Sequence, residues 1–408
     1  MYDINGMKQK VVVIGHGYTS RLGVIRALGR AGYEVIVIVM TGYNKDGTLN
    51  TTKPIDCYSK YVSRVLYCPS CREKLISLLL EQCADTNQKV VLFADSDFSE
   101  AAIDLNQERL REHFYFPNIY HETGAVVAWM NKVKQKREAK TLGLDVAEGW
   151  VIEVKNGQYN IPGEIRYPCF PKPLATIVGG KNGLRRCDNE NELREVILLL
   201  TKKKSDISIL VEEFKKIDTE HALIGFTDGE RVIIPGIIKT TSLANGGHFG
   251  VAKQGKILPV EGYKDLVEKF KQFVLRTGFY GIFDIDFYES EGCYYFCEMN
   301  FRYGGSGYAY TAMGVNMPDM FVRSLTGQSI EGMQQEIQKE AVFINERMCK
   351  DDWLGSYITT KEFLRLMKSA DVSFVKDSED PKPQQLFYKG LMNPVMNLKR
   401  VAKKNLRR

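Results

Sequence analysis

The first forty residues constrain the fold more than any other stretch. Lys10 to Ile14 is a β-branched run that ends at Gly15-His16-Gly17. Leu22, Ile25 and Leu28 then recur at helical spacing, Gly32 interrupts, and Glu34 to Met40 is apolar again. The order reads strand, glycine turn, helix, strand. A helical pattern from Arg72 to Gln82 leads into a third strand, Lys89 to Ala94, with Asp95 and Asp97 just past its end. Parallel α/β sheets collect ligands outside the carboxyl ends of their strands. Residues 1–120 are therefore expected to form a small, doubly wound, Rossmann-like domain with a site along that rim. Gly15-His16-Gly17-Tyr18-Thr19-Ser20 does not complete GxGxxG, so the turn suits substrate positioning or helix packing better than a dinucleotide.

Further along, a Lys-rich helix is expected from Asn131 to Leu142, ending near Gly143, and a strand from Gly149 to Val154. More β-rich segments follow at Ile207–Phe214, Ala222–Phe226, Arg231–Ile238 and Gly281–Met299. Residues after about 330 carry helical patterns. With 408 residues, of which 44% are hydrophobic and 26% charged, the chain can bury two or three packed subdomains. Apolar runs such as Val35–Met40 are far shorter than the roughly 18 residues of a membrane span. The start, Met-Tyr-Asp-Ile-Asn-Gly, has no basic segment leading into an apolar one. A cytoplasmic protein is expected.

Nine scattered cysteines argue against a disulfide framework. Cys68-Pro69-Ser70-Cys71 is the only CxxC pair, and no second pair completes a zinc site, so these read as ordinary thiols in a loop. The net charge of +6 is matched by six basic residues among the last ten, Lys399, Arg400, Lys403, Lys404, Arg407 and Arg408. The rest of the chain is close to neutral, which excludes a general nucleic-acid footprint. Leu391, Val395, Leu398, Ala402 and Leu406 give the tail helical periodicity. It suits either an amphipathic basic helix resting on an anionic membrane or a helix docked on the protein with a solvated end.

The richest chemistry lies in Phe283-Asp284-Ile285-Asp286-Phe287 and Tyr294 to Arg302, two strand-like runs separated by Glu289-Ser290-Glu291-Gly292. A hairpin turn there lets Asp286 and Glu298 face each other, and alternation puts Glu298 and Asn300 on one face with Arg302 continuing the line. Two carboxylates and an amide oxygen are hard ligands suited to Mg²⁺, with nucleotide phosphates completing the coordination. Arg302 can hold a transferred phosphate or a substrate carboxylate bidentately. Lys172, closing Tyr167-Pro168-Cys169-Phe170-Pro171-Lys172, precedes the glycine-rich Gly179-Gly180-Lys181-Asn182-Gly183. A cation beside flexible backbone amides suits a triphosphate. Ile209 to Phe214 then forms a strand that runs out into a chain able to bond an adenine edge.

From Asn131 to Gly327 the order of these pieces resembles the ATP-grasp superfamily of carboxylate-amine ligases. The resemblance implies an α/β ATP-grasp fold: the N-terminal domain, an ATP-grasp domain at 121–330 whose two α+β lobes clasp ATP, and a helical extension at 331–408. The nucleotide lobe would span about 145–220 and the metal lobe about 221–330. It further implies that Lys132 and Lys172 contact phosphates, that Gly179, Gly180 and Lys181 cover them, and that Glu212 receives the adenine amino group. Glu213 and Lys215, flanking Phe214, match backbone positions that read the adenine edge, Glu220 the ribose carboxylate, and Asp286, Glu298 and Asn300 the ligands of Mg²⁺ or Mn²⁺. Arg302 and Lys172 are the implied catalytic cations. The loop has fewer consecutive glycines than many relatives, and Arg185 and Arg186 join Lys181 as phosphate candidates. The whole chain is also similar to the D-aspartate ligase branch, through Ala94 to Glu100, Thr277 to Gly281, Glu298 to Arg302 and the basic end, whereas Gly304-Gly305-Ser306-Gly307 departs from it. An amino-acid ligase acting on a cell-wall, polysaccharide or peptide acceptor is expected. The alternatives are a dipeptide or carbamoyl-phosphate-type ligase and a non-catalytic ATP-binding module. Candidates for the acceptor side are Arg302, Lys239, the Gly304–Gly307 turn, and Asp95 or Asp97, which suit an ammonium group or a helix N-cap equally. His248 sits in a loop near the expected site.

Overall fold

The computed structural model describes residues 8–16, 18–174, 184–202, 206–245 and 250–391, without the side chains of Tyr18 and Leu391. Gly17, Gly179, Gly180, Lys181, Asn182, Gly183, His248 and the basic tail lie outside the described residues.

The first domain comprises β1 (Lys10–Gly15), α1 (Tyr18–Arg30), β2 (Glu34–Thr41), β3 (Val62–Pro69), α2 (Arg72–Gln82), β4 (Val90–Ala94), α3 (Asp97–Asp104), α4 (Gln107–Leu110) and β5 (Phe114–Tyr115). Its strands form an all-parallel sheet in the order β3-β2-β1-β4-β5. Both faces are covered. Val11 and Val13 belong to one core and Val12 and Ile14 to another, which is why β1 reads as an unbroken apolar run. The strand expected as the third is in fact the fourth. β3 carries little sequence signal because it is an edge strand whose Ser63 and Arg64 are exposed, which dilutes its apolar pattern. Cys68 is buried inside β3, and Cys71 sits at the N-cap of α2, so the pair does not lie in a loop.

Next come β6 (Asn118–Ile119), α5 (Ala125–Trp129), α6 (Lys132–Thr141) and β7 (Asp145–Val146). A small lobe follows, made of β8 (Gly149–Val154), β9 (Cys169–Pro173), α7 (Glu190–Thr201) and β10 (Ile207–Glu213). Its sheet is antiparallel, in the order β8-β10-β9. Ile207, Ile209 and Val211 pack on Leu193, Val196 and Ile197 of α7, so alternation turns Leu210 and Glu212 to the opposite face.

The remaining elements are β11 (Thr219–Asp228), β12 (Val232–Ile233), β13 (Ile237–Leu243), β14 (Ala252–Leu258), α8 (Lys264–Thr277), β15 (Phe279–Ser290), β16 (Cys293–Asn300), α9 (Tyr308–Ala312), α10 (Met317–Leu325), β17 (Ala341–Ile344), α11 (Glu346–Leu354), α12 (Thr360–Lys368), β18 (Val372–Ser373) and α13 (Pro381–Leu391). The large sheet runs β18-β17-β14-β13-β11-β15-β16-β7, with β12 on β11 and β6 on β15. Its back face carries Leu223, Ile285, Phe287 and Phe296 against Phe270 and Phe273 of α8. Part of its front, Ile224, Phe226 and Ile282, shares one core with α10 and the first sheet.

The segment after 330 is not a purely helical extension, because β17 pairs with β14 and β18 with β17. Strands of four and two residues are too short to show a period. This segment is bolted to the first domain by Arg26 of α1. That fully buried guanidinium donates to Asp380 Oδ2 at 3.0 Å and to the carbonyls of Phe374 and Val375 at 3.1 and 3.0 Å. Removing one partner of so buried a pair typically costs about 3–5 kcal/mol.

Candidate active site

Glu291 and Gly292 both take positive φ, 52° and 76°, as a tight hairpin turn requires, and this pins the register of β15 against β16. Asp284 stands opposite Asn300 and Asp286 opposite Glu298. The Asn300 Nδ2 donates to Asp286 Oδ2 at 3.2 Å. A bulge after Asp286 leaves Cys297 as the extra residue. Its thiol lies among Lys172, Lys136, Glu212 and Asp286, and burial pushes it up to about 11. Burial, reinforced by the charge of Asp286, pushes the Asp284 carboxyl up to about 8, against the pull of Arg302.

Helix α6 runs alongside β16 because Gln135 extends the strand's ladder: its Oε1 accepts from Met299 N at 2.7 Å and its Nε2 donates to Met299 O at 2.9 Å. Asn131 caps the helix by accepting from Lys134 N at 3.0 Å. Lys132 and Lys136, one turn apart, then project towards the same cleft. The Lys132 ammonium contacts the Glu298 carboxylate. Lys136 Nζ lies 2.5 Å from Glu212 Oε1, and Lys172 Nζ, from β9, lies 2.8 Å from Glu212 Oε2. Burial disfavours both lysine charges, yet Glu212 outweighs it at Lys172 and holds that ammonium above its ordinary range. At Lys136 burial and the neighbouring Lys172 prevail and lower it.

Past Glu212 the chain crosses to the large lobe. The Glu213 N–H donates to Glu148 O and the Phe214 N–H to Pro168 O, both at 2.9 Å, so neither of those amides is open to a ligand. The Lys215 N–H donates to no described residue. The Glu213 side chain pairs with Lys215 at 3.1 Å, and Lys215 also lies 5.4 Å from the Tyr295 ring, which stacks on Tyr288. Glu220 stands opposite Tyr288 in the β11–β15 ladder. Arg185 pairs with Glu195, while Arg186 pairs with Asp188 and lies over the Phe214 ring at 5.0 Å.

Beyond Asn300, Arg302 spans two domains. Its Nε donates to Asp97 Oδ1 at 3.0 Å and its Nη1 lies 3.5 Å from Asp284 Oδ2. Neither Asp95 nor Asp97 is the cap of α3; Ser96 is, accepting from Ser99 N at 3.3 Å. Asp97 is thereby left for Arg302. The Asp95 carboxylate oxygens are shielded from water and meet no hydrogen-bond donor of good geometry among the described residues. Burial pushes Asp95 up to about 7, against the pull of Arg21 and Arg302. Both acids rely on glycines. A Cβ on Gly15 would fall 1.6 Å from Asp95 Oδ1, and one on Gly304 would fall 2.7 Å from Asp284 Cγ. Lys239 is not an acceptor-side group, because it pairs with His221 on the sheet face covered by α8.

No family model matches the chain. In sequence it is 26% identical over 173 residues to the carbamoyl phosphate synthase large chain of Clostridium perfringens, covering 41% of this chain and 16% of that one. Among solved structures it is similar to the biotin carboxylase domain of the Hydrogenobacter thermophilus 2-oxoglutarate carboxylase in complex with MgADP, ADP and bicarbonate. The TM-score is 0.61 at 18% identity, over 82% of this chain and 74% of that one. The L-amino acid ligase from Bacillus licheniformis gives a TM-score of 0.58 at 17% identity, over 82% and 79%. The fold is ATP-grasp.

Within this ATP-grasp fold, side chains of the small-lobe strands β9 and β10, of the large-lobe hairpin β15–β16 and of α6 converge on one site. The residues singled out in the sequence that reach it are Lys132, Lys172, Glu212, Asp286, Glu298, Asn300 and, at its far end, Arg302. Sequence reading missed Lys136, which its i+4 spacing from Lys132 signals, and the Asp97–Arg302 contact, whose partners are 205 residues apart and carry no sequence signal.

Proposed function

We propose that the chain is an ATP- and Mg²⁺-dependent ligase that phosphorylates a carboxylate and joins the resulting acyl phosphate to an amine. The observation carrying this reading is the convergence, in one cleft, of two lysines from different elements with an Asp–Glu–Asn set on a hairpin and an arginine just beyond. A carboxylate resists amines because oxide is a poor leaving group, and phosphate replaces it. Lys132, Lys172 and Arg302 neutralise the charge that builds during phosphoryl transfer, where preorganised cations contribute most. Lys215 N–H and the Tyr288–Tyr295 stack beside the interlobe crossing suit an adenine.

Asp286, Glu298 and Asn300 fit Mg²⁺. Asp286 and Glu298 stand opposite each other and supply two carboxylates, which suits an ion that takes one or two carboxylates and draws its other ligands from phosphates. An ammonium, Lys132, already lies on Glu298, so the carboxylate sits where a cation is favoured. The metal would supply charge neutralisation on the phosphates.

Asp95 and Asp97, beside Arg302 at the carboxyl end of β4, suit the amine partner. The D-aspartate-ligase-like features favour an amino acid as the activated carboxylate and a cell-wall, polysaccharide or peptide acceptor as the amine. A carbamoyl-phosphate-type activity is the second reading, favoured by the sequence match to carbamoyl phosphate synthase. No helix among the described residues is long and apolar enough to cross a membrane, and contact with a lipid-linked acceptor would fall to the basic tail. The test is ADP release from MgATP across amino acids and precursor peptides. Release that requires both a carboxylate and an amine supports the ligase; its absence with every pair contradicts it.

A further inference from the structure

Lys136 has no part in the chemistry above, yet it is one of the most buried lysines described, 7% exposed, and it touches the same carboxylate as Lys172. We propose that Lys136 is a positioning residue that keeps Glu212 paired when Lys172 turns to the nucleotide phosphates. The inference rests on the nucleotide reading of the cleft.

Glu212 carries two ammonium groups, one on each oxygen, with side-chain exposures of 8% for Lys136, 18% for Lys172 and 11% for Glu212. One pair alone would be electrically complete. Were Lys172 the sole partner, its departure to a phosphate would strand a buried carboxylate, the most costly way to break an ion pair. With Lys136 in place the carboxylate stays compensated, and the cluster carries one surplus positive charge that an incoming phosphate satisfies. The lysines differ in the way this division of labour requires. Lys172 belongs to the small lobe, on the strand that enters the glycine-rich segment, whereas Lys136 belongs to α6, which Gln135 fastens to the metal strand β16. Lys136 therefore holds Glu212 from the large-lobe side and ties the two lobes together at the point where the nucleotide enters.

The experiment is calorimetric titration of the full chain with MgATP and, separately, with adenosine. In Lys136→Met, MgATP affinity should fall about 100-fold, because binding now strands Glu212, while adenosine, which has no phosphate to draw Lys172 away, should lose far less. Lys136→Arg should restore most of the MgATP affinity. In a Glu212→Gln background there is no carboxylate to strand, so Lys136→Met should cost little more. An equal loss in that background would mean that Lys136 itself contacts phosphate and would overturn the proposal. Equal losses for adenosine and MgATP, or unchanged MgATP affinity in a folded Lys136→Met protein, would also overturn it. Should Lys136→Met not fold, Lys136→Gln serves the same comparison. Wild-type chain that binds no MgATP would sink the nucleotide reading instead, so the two failures are separable.

Discussion

Replacing His221 by phenylalanine should remove an acid sensitivity built into the back of the sheet that carries the β15–β16 hairpin. The side chain of His221, on β11, is fully buried, stacked on Phe287 at 5.1 Å and met edge-on by Tyr263 and Tyr294. Among the described residues neither ring nitrogen has a hydrogen bond of good geometry, and Glu289 Oε2 lies 3.7 Å from Nε2. Burial, reinforced by Lys239 and only partly offset by Glu289, pulls the imidazole down from 6.5 to about 4. The unfolded chain takes up this proton near pH 6.5 and the folded one only near 4. Below 6.5 the unfolded state therefore binds more protons, and stability that is complete above 6.5 drains away as the pH falls towards 4. At 1.36 kcal/mol per pH unit the full effect is about 3 kcal/mol, of which about 2.5 is lost by pH 4.5. Phenylalanine keeps the stacking and removes the titration, and the packing cost of its larger ring, about 1–3 kcal/mol, is common to both pH values. Urea unfolding at pH 7.5 and 4.5 should show the wild type losing about 2.5 kcal/mol more than His221→Phe between the two. Parallel losses in the two proteins would refute the reasoning.

Lys172→Ala should weaken MgATP binding and slow phosphoryl transfer, with a smaller effect on adenosine; calorimetry and turnover that are both unchanged would remove its role. Glu298→Gln should cut ADP production by about 100-fold or more while leaving the thermal unfolding cooperative, since even groups one step removed from a metal commonly cost 10–100-fold. Wild-type turnover in the folded variant would dismiss the proposed metal set. Full-length chain should sediment with anionic vesicles at low salt more than a chain ending at Asn397, each engaged basic residue contributing about 1 kcal/mol; equal, negligible binding would leave the tail without a membrane role.

The parts of the fold that could be read from the sequence are those with a local physical cause. Strands β1, β2 and β4 are sandwiched between helices and so are apolar throughout, α2 begins and ends where its periodicity does, and the Asp286–Glu298 register follows from a two-residue turn. The parts missed depend on distant partners. Edge strand β3 shows polar residues to solvent, and β17 and β18 exist only because β14 offers a free edge. Lys239 is misassigned to the acceptor side because a sequence does not say which face of a sheet a helix covers; its ladder partner His221 lies on the face packed by α8. The same holds at the centre of the site. Lys132, Lys172 and Glu212 could be singled out by type and order, but that Glu212 holds Lys172 and Lys136 together depends on an approach between α6 and β10 across 76 residues.

Positional isotope exchange tests the central claim most directly. ATP labelled with ¹⁸O at the β,γ-bridge is incubated with the chain, Mg²⁺ and a carboxylate substrate, without any amine. If the cleft forms an acyl phosphate, reversible transfer frees the β-phosphate of bound ADP to rotate, and the label should scramble into β-nonbridging positions only when the carboxylate is present. Carboxylate-dependent, amine-dependent ADP release from a chain that never scrambles the label, under conditions where ADP remains bound, would contradict the acyl-phosphate route.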